Sequence, residues 1–281
     1  MTVIAMTQEM GTLGKDVATG VAQVLGLSVV RHEIGDEVAD RLRVNRSLIR
    51  RAREGQAGWL ERRSYDQESF ALYSAEQVYE HALEDDVLIR GWGATSLLKD
   101  VPGIPCVRVC APMENRIRWL MERLGTDDAD LARGEIERSD AAHGSRIRHN
   151  FGIDWHDPLQ YHLVLNTGRM SVDACVAEVV HLARLPEFAR TQASVDALVN
   201  RTLEARVRTA FRAAPESADI DVSVIANAGA ITLEGMVASE EERRLAGEVA
   251  AGVDGVASVD NRLRVIRGTL MFPTPDMGGT R

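Results

Sequence analysis

The sequence predicts an α/β fold, a parallel sheet with helices on both faces, followed by a small α+β module. Three observations carry this. Short apolar runs alternate with amphipathic runs over the first two thirds of the 281 residues. The chain opens with a strand-like run, a glycine loop and a helical run, T-V-I-A-M-T-Q-E-M-G-T-L-G-K-D-V-A-T-G-V-A-Q-V-L-G-L. After L-P-E-F-A-R-T-Q-A-S, residues 185–194, the rhythm changes to a helix, two alternating strands, a helix and a last strand. The sequence therefore divides into a first domain at 1–184, a linker at 185–194, a second domain at 195–267 and a flexible tail at 268–281.

Taken in order, Val3–Met6 reads as a buried strand, and Lys15–Leu25 as a helix with Val17, Val21, Val24 and Leu25 on one face. Leu27–Val30 is a second short strand, and residues 32–84 read as mostly helical and highly charged. Asp86–Arg90 and Cys106–Cys110 are further apolar strands, and a helix over Glu114–Leu124 follows Pro112. Gly125 ends that helix, and Thr126 is predicted to cap the next, with Asp127 and Asp128 in its first turn. Tyr161–Asn166 is another strand, and Ser171 caps a helix running to about Ala183. In the second domain Val222, Val224 and Ala226 alternate on one face of a hairpin. Ile231, Leu233 and Met236 are expected to do so on its return, before a helix capped by Ser239.

Composition narrows the class. A net charge of −9 argues against broad attraction to nucleic acid or anionic membrane. Three cysteines without C-x-x-C spacing suit a reducing compartment and read as small buried hydrophobes. The start lacks a basic, signal-like region, and no apolar run approaches the roughly 18 residues of a spanning helix, so the chain reads as soluble and cytoplasmic. Arg41–Gly55 holds six arginines, at 41, 43, 46, 50, 51 and 53. No interleaved aromatics support base stacking, so no specific nucleic acid is expected. His149, His156 and His162, with Asp154 and Asp157, lack helical metal-site spacing and read as a structural turn.

The glycine loop carries the chemistry. A strand, a glycine loop and a helix N-terminus aim backbone N–H groups at an anion, and a lysine adds charge. Gly11, Thr12, Leu13, Gly14, Lys15 and Asp16 are the candidate phosphate-binding residues. Against G-x-x-x-x-G-K-[ST], Gly14 and Lys15 are in place, Glu9 takes the first glycine and Asp16 the hydroxyl.

Three segments make residues 1–184 resemble the cytidylate-kinase-like branch of the P-loop nucleoside monophosphate kinases. They are M-G-T-L-G-K-D-V-A; V-L-I-R-G-W-G-A with C-V-R-V-C-A-P-M-E-N-R-I-R-W-L; and I-E-R-S-D through N-F-G-I-D-W-H-D-P-L-Q-Y-H-L-V-L-N-T. The resemblance implies ATP and Mg2+ as the donor pair, a pyrimidine nucleotide as acceptor, and an arginine-bearing lid. It assigns Lys15 to the donor phosphates. Arg138, Arg146 and Arg148, with Arg133, become the lid arginines around Asp140. Arg41, Arg50 and Arg90 fall at the acceptor side, and Asp16 is placed to hold magnesium through water. Arg116 and Arg118 begin a helix where the family also has arginine. The chain departs from the family at Arg90, where an acid is expected, and at Trp92 and His143, where arginines are expected. Those departures leave a second expectation open, a catalytically weak nucleotide-sensing regulator.

Residues 195–265 resemble the BON domain through G-A-I-T-L-E-G-M-V, S-E-E-E-R-R-L-A and V-D-G-V-A-S-V-D-N-R-L-R-V. This resemblance implies an αββαβ fold used for binding a membrane phospholipid or a protein partner. A homo-oligomer is left open.

Overall fold

The structure, a computed structural model, describes residues 2–31, 33–53 and 66–266. The tail from Gly268 and part of the helical stretch 32–84 lie outside them. The chain divides into two compact units, residues 1–209 and 210–281.

The first unit is built on five strands, β1 (Val3–Gln8), β2 (Ser28–Val30), β3 (Val87–Arg90), β4 (Cys106–Cys110) and β5 (Leu163–Asn166). They form one sheet in the order β2-β3-β1-β4-β5, with every neighbouring pair parallel. Parallel strands need crossovers, and here helices supply them. Alternation along β1 sends Ile4 and Met6 to one face, and Val3 and Ala5 to the other. On the first face α1 (Gly14–Leu25) packs Val17, Ala18 and Val21 beside Cys175, Val176 and Val179 of α8 (Val172–Ala183). On the second lie Ile34 and Val38 of α2 (Glu33–Leu42) and Val78 and Ala82 of α4 (Gln67–Glu84). Ile4, Met6 and Leu88 are wholly buried, each contributing about 1.5–3 kcal/mol.

Shorter connections are α3 (Arg46–Arg53) and α5 (Ala94–Leu97). Beyond β4, α6 (Met113–Leu124) ends at Gly125 and is followed by α7 (Ala129–Phe151). The expected cap at Thr126 is corrected: Asp128 is the N-cap, and its carboxylate accepts from Leu131 N at 2.9 Å. Thr126 Oγ1 instead accepts from Asp128 N, one step outside the helix. The Ser171 cap is as the sequence predicts, accepting from Ala174 N. A short 3-10 turn at Pro186–Phe188 leads into α9 (Gln192–Ala213), whose Leu198 and Ala205 join the first unit's core.

In the second unit β6 (Ser223–Asn227) and β7 (Ala230–Glu234) form an antiparallel hairpin through Ala228 and Gly229, both at positive φ. β9 (Ser258–Asn261) lies parallel to β7, and β8 (Met236–Val237) pairs with β10 (Arg264–Val265). Val224, Ala226, Ile231 and Leu233 face inward with Ala246 and Ala250 of α10 (Glu240–Ala251). Met236, expected inside, is 68% exposed. Gly235, at φ 143°, breaks the alternation between β7 and β8, so Val237 is buried in its place. No described helix is long and apolar enough to cross a membrane.

Candidate functional site

The candidate site is the turn between β1 and α1. Gly11 (φ 78°) and Leu13 (φ 57°) hold left-handed values on either side of Thr12, an alternation that gathers N–H groups into a concavity. At Gly11 a side chain would also meet the Arg116 backbone at 3.1 Å. Three carbonyls of the turn are held inward. The Thr12 hydroxyl donates to Glu9 O at 2.9 Å, Arg116 Nε to Met10 O at 2.7 Å, and the Thr167 hydroxyl to Thr12 O at 2.7 Å. In a trans peptide the N–H points opposite to its C=O, so the amides of Met10, Gly11 and Leu13 face away from these anchors. No side chain caps α1 at Leu13, and the first amides of a helix have no intrahelical acceptor. Lys15 and Asp16 are exposed in the first turn.

Beneath the turn lies a buried ionic cluster. The Glu9 carboxylate pairs with Arg108 and, at 3.4 Å, with Arg116. Arg116 also donates to both carboxylate oxygens of Asp140 at 2.8 and 2.7 Å. Burial pushes the Asp140 carboxyl up, and Arg116 draws it back. Arg108 donates to Trp155 O at 3.1 Å and lies over the Trp155 ring, whose indole N–H donates to Thr7 Oγ1 at 3.0 Å. The W-H-D-P segment thus closes a structural turn, in which the Asp154 and Asp157 carboxylates accept from the backbone N–H groups of His156 and Leu159. Arg108 and Thr167 were missed from the sequence. A lone arginine inside the apolar strand C-V-R-V-C was the available signal for the first.

The structure distributes the remaining candidates unevenly. Arg90 lies on the α1 face at the end of β3, donating to Gln8 Oε1 at 3.0 Å, and Gln8 packs against Gly14. Trp92 packs into the core on the α2 side and donates to Arg31 O. Arg41 forms a two-point ion pair with Glu76 and lies over Tyr73. Arg50 belongs to α3, but its side chain lies outside the described residues. Arg138 and Arg146 fall about 80° apart on one side of α7, but at 3.6 residues per turn Arg146 and Arg148 stand about 160° apart. Arg138 pairs with Glu135, and Arg133 with Glu137 at 4.0 Å. The inward face of α7 carries Ile136, Asp140, His143 and Ile147, with His143 against the Trp155 ring at 4.2 Å.

Two implied groups can be weighed against these residues. Uncapped amides around a concave turn, with an exposed lysine beside them, fit the phosphates of a nucleotide. For magnesium the loop offers one exposed carboxylate, Asp16. A metal that keeps several waters and leans on phosphate oxygens can use a single carboxylate. Among the described residues no group of three His, Cys, Asp or Glu is arranged to hold a metal alone.

A parallel five-stranded sheet whose first strand runs through a glycine turn into an uncapped helix defines a kinase-like α/β protein. The profile of the cytidylate kinase-like family matches residues 3–169, so the chain belongs to that family. A BON domain matches residues 200–267. Among solved structures, an uncharacterized protein from Eubacterium ventriosum is similar at 19% identity, covering 65% of this chain and 98% of that one, with a TM-score of 0.51. Shikimate kinase from Bacteroides thetaiotaomicron follows at 15% identity, 66% and 99% coverage, and a TM-score of 0.41. A gluconokinase from Sinorhizobium meliloti follows at 13% identity, 65% and 91% coverage, and a TM-score of 0.40. A search of curated protein sequences finds no match.

Proposed function

We propose that the turn between β1 and α1 binds the phosphates of ATP, and that the domain transfers a phosphoryl group to a nucleoside monophosphate, with pyrimidine acceptors the first candidates. The observation supporting this most strongly is the set of inward-held carbonyls, which leaves loop amides facing the opening next to exposed Lys15. Phosphoryl transfer asks a protein chiefly for alignment and charge neutralisation. Lys15 and the amides would fix the donor phosphates. Arg116 and Thr167 would keep the amides turned outward. Asp16 would hold magnesium through water, and the metal would neutralise charge on the phosphate oxygens. Arg146 and Arg148 do not share a face of α7, so a rigid α7 would turn only one of them toward the transferring group at a time.

A second reading is a catalytically weak nucleotide sensor that signals through the BON domain to a membrane surface or a protein partner. Arg41 held by Glu76 and Trp92 packed in the core favour it, because neither residue is poised for an acceptor phosphate. ADP release from ATP and Mg2+ across CMP, dCMP, UMP, AMP and GMP separates the two. Turnover with one acceptor that is lost in Lys15→Ala supports the kinase. Turnover unchanged in that variant sinks it, and ATP binding without turnover selects the sensor.

A further inference from the structure

Among the described residues of the first unit three arginines are buried, and two are paired with carboxylates: Arg108 with Glu9, and Arg116 with Glu9 and Asp140. Arg90 is different. It is 5% exposed, and no described carboxylate forms an ion pair with it. Its Nη1 donates to the neutral Gln8 amide, and its Nε is buried with no hydrogen-bond partner. A buried charge without a counterion is costly, so such a group calls for an anion supplied from elsewhere.

The position of Arg90 says where that anion would sit. Met6 lies opposite Arg90 in the sheet register, and Leu88, two residues earlier on β3, lies under α1. Arg90 therefore faces α1 at the strand ends, beside Gln8, against which Gly14 packs. Among the described residues Asp16, in the first turn of α1, is the acidic group that acts on it, while Arg31 at the end of β2 adds a like charge. Burial first, and then Arg31, bring the Arg90 guanidinium down to about 10, with Asp16 acting the other way.

We propose that Arg90 is the cationic floor of the loop's phosphate site, so that a polyphosphate ester binds there without a divalent cation. This rests on the reading that the loop takes nucleotide phosphate, and adds what balances the phosphate charge. Loop amides would bind the anion from the α1 side, and Arg90 from the sheet side with a charge-assisted hydrogen bond from Nε. A metal would then be needed for transfer rather than for binding.

The test is calorimetric titration of the full chain with ADP and with pyrophosphate, in Mg2+ and in excess EDTA, using wild type, Arg90→Met and Arg90→Lys. For wild type, dissociation constants in EDTA within about threefold of those in Mg2+ are expected. In EDTA, Arg90→Met should weaken binding by about tenfold or more and Arg90→Lys by less. The ligand-free Arg90→Met protein should melt no lower than wild type, since it loses a buried charge that has no carboxylate partner. Wild-type binding more than about tenfold weaker in EDTA would overturn the proposal while leaving the loop reading intact, as would an Arg90→Met protein that binds like wild type. Wild type that binds neither probe in either buffer would overturn both.

Discussion

Glu9 sits where the usual phosphate-loop pattern has glycine, and its neighbours explain the exchange. Its carboxylate is buried between Arg108 and Arg116, and Arg116 in turn grips the Met10 carbonyl and Asp140. The turn is thus tied down by ionic contacts to β4, α6 and α7. Removing one member of a buried cluster strands the others without a counterion. Glu9→Gln should therefore lower unfolding free energy by about 3–5 kcal/mol in chemical denaturation. A loss below about 1 kcal/mol would mean that the cluster is well solvated or readily re-paired. The cysteines need no such partners. Burial pushes the Cys106 thiol up to about 12, as suits a small apolar side chain in the core.

Among the elements, those specified by local chemistry were legible in the sequence. Although Val24, expected on the α1 stripe, is 55% exposed, the strands of the first unit, the Val17 and Val21 part of that stripe and the Ser171 cap depend on residues within one turn or one pleat. The same holds for α10. There Ser239 Oγ accepts from Glu242 N at 3.1 Å, while the Glu242 carboxylate accepts from Ala238 N at 2.8 Å, a reciprocal start close to a capping box. Ser239→Ala should cost the second unit about 1 kcal/mol, read as a lowered denaturation midpoint. An unchanged midpoint would show that the Glu242 contact and the acidic first turn suffice. Misreadings arose where adjacent choices were nearly equal. Thr126 and Asp128 are both competent caps, and only the reach of Asp128 to Leu131 N decides between them. Met236 fits the alternation until Gly235 breaks it. The α7 arginines rest on the family resemblance, and one continuous helix spreads them around its axis.

At the scale of the molecule, the order of glycine turn, sheet and C-terminal module was legible because each announces itself in a short motif. The supports of the candidate site were not, because its contacts join residues far apart in the chain. Arg108 meets Glu9 across 99 positions, and Thr167 meets Thr12 across 155. No local pattern encodes such pairs beyond the oddity of a charge inside an apolar strand. The central claim is that these distant supports hold the turn open for nucleotide phosphate. The most direct measurement is calorimetric titration of ATP into the full chain and into Lys15→Ala. The account predicts binding to the wild type, and binding weaker by about tenfold or more in the variant. Since Lys15 is exposed, the melting temperature should be unchanged. Equal affinity in the two proteins, or no binding to the wild type, would contradict it.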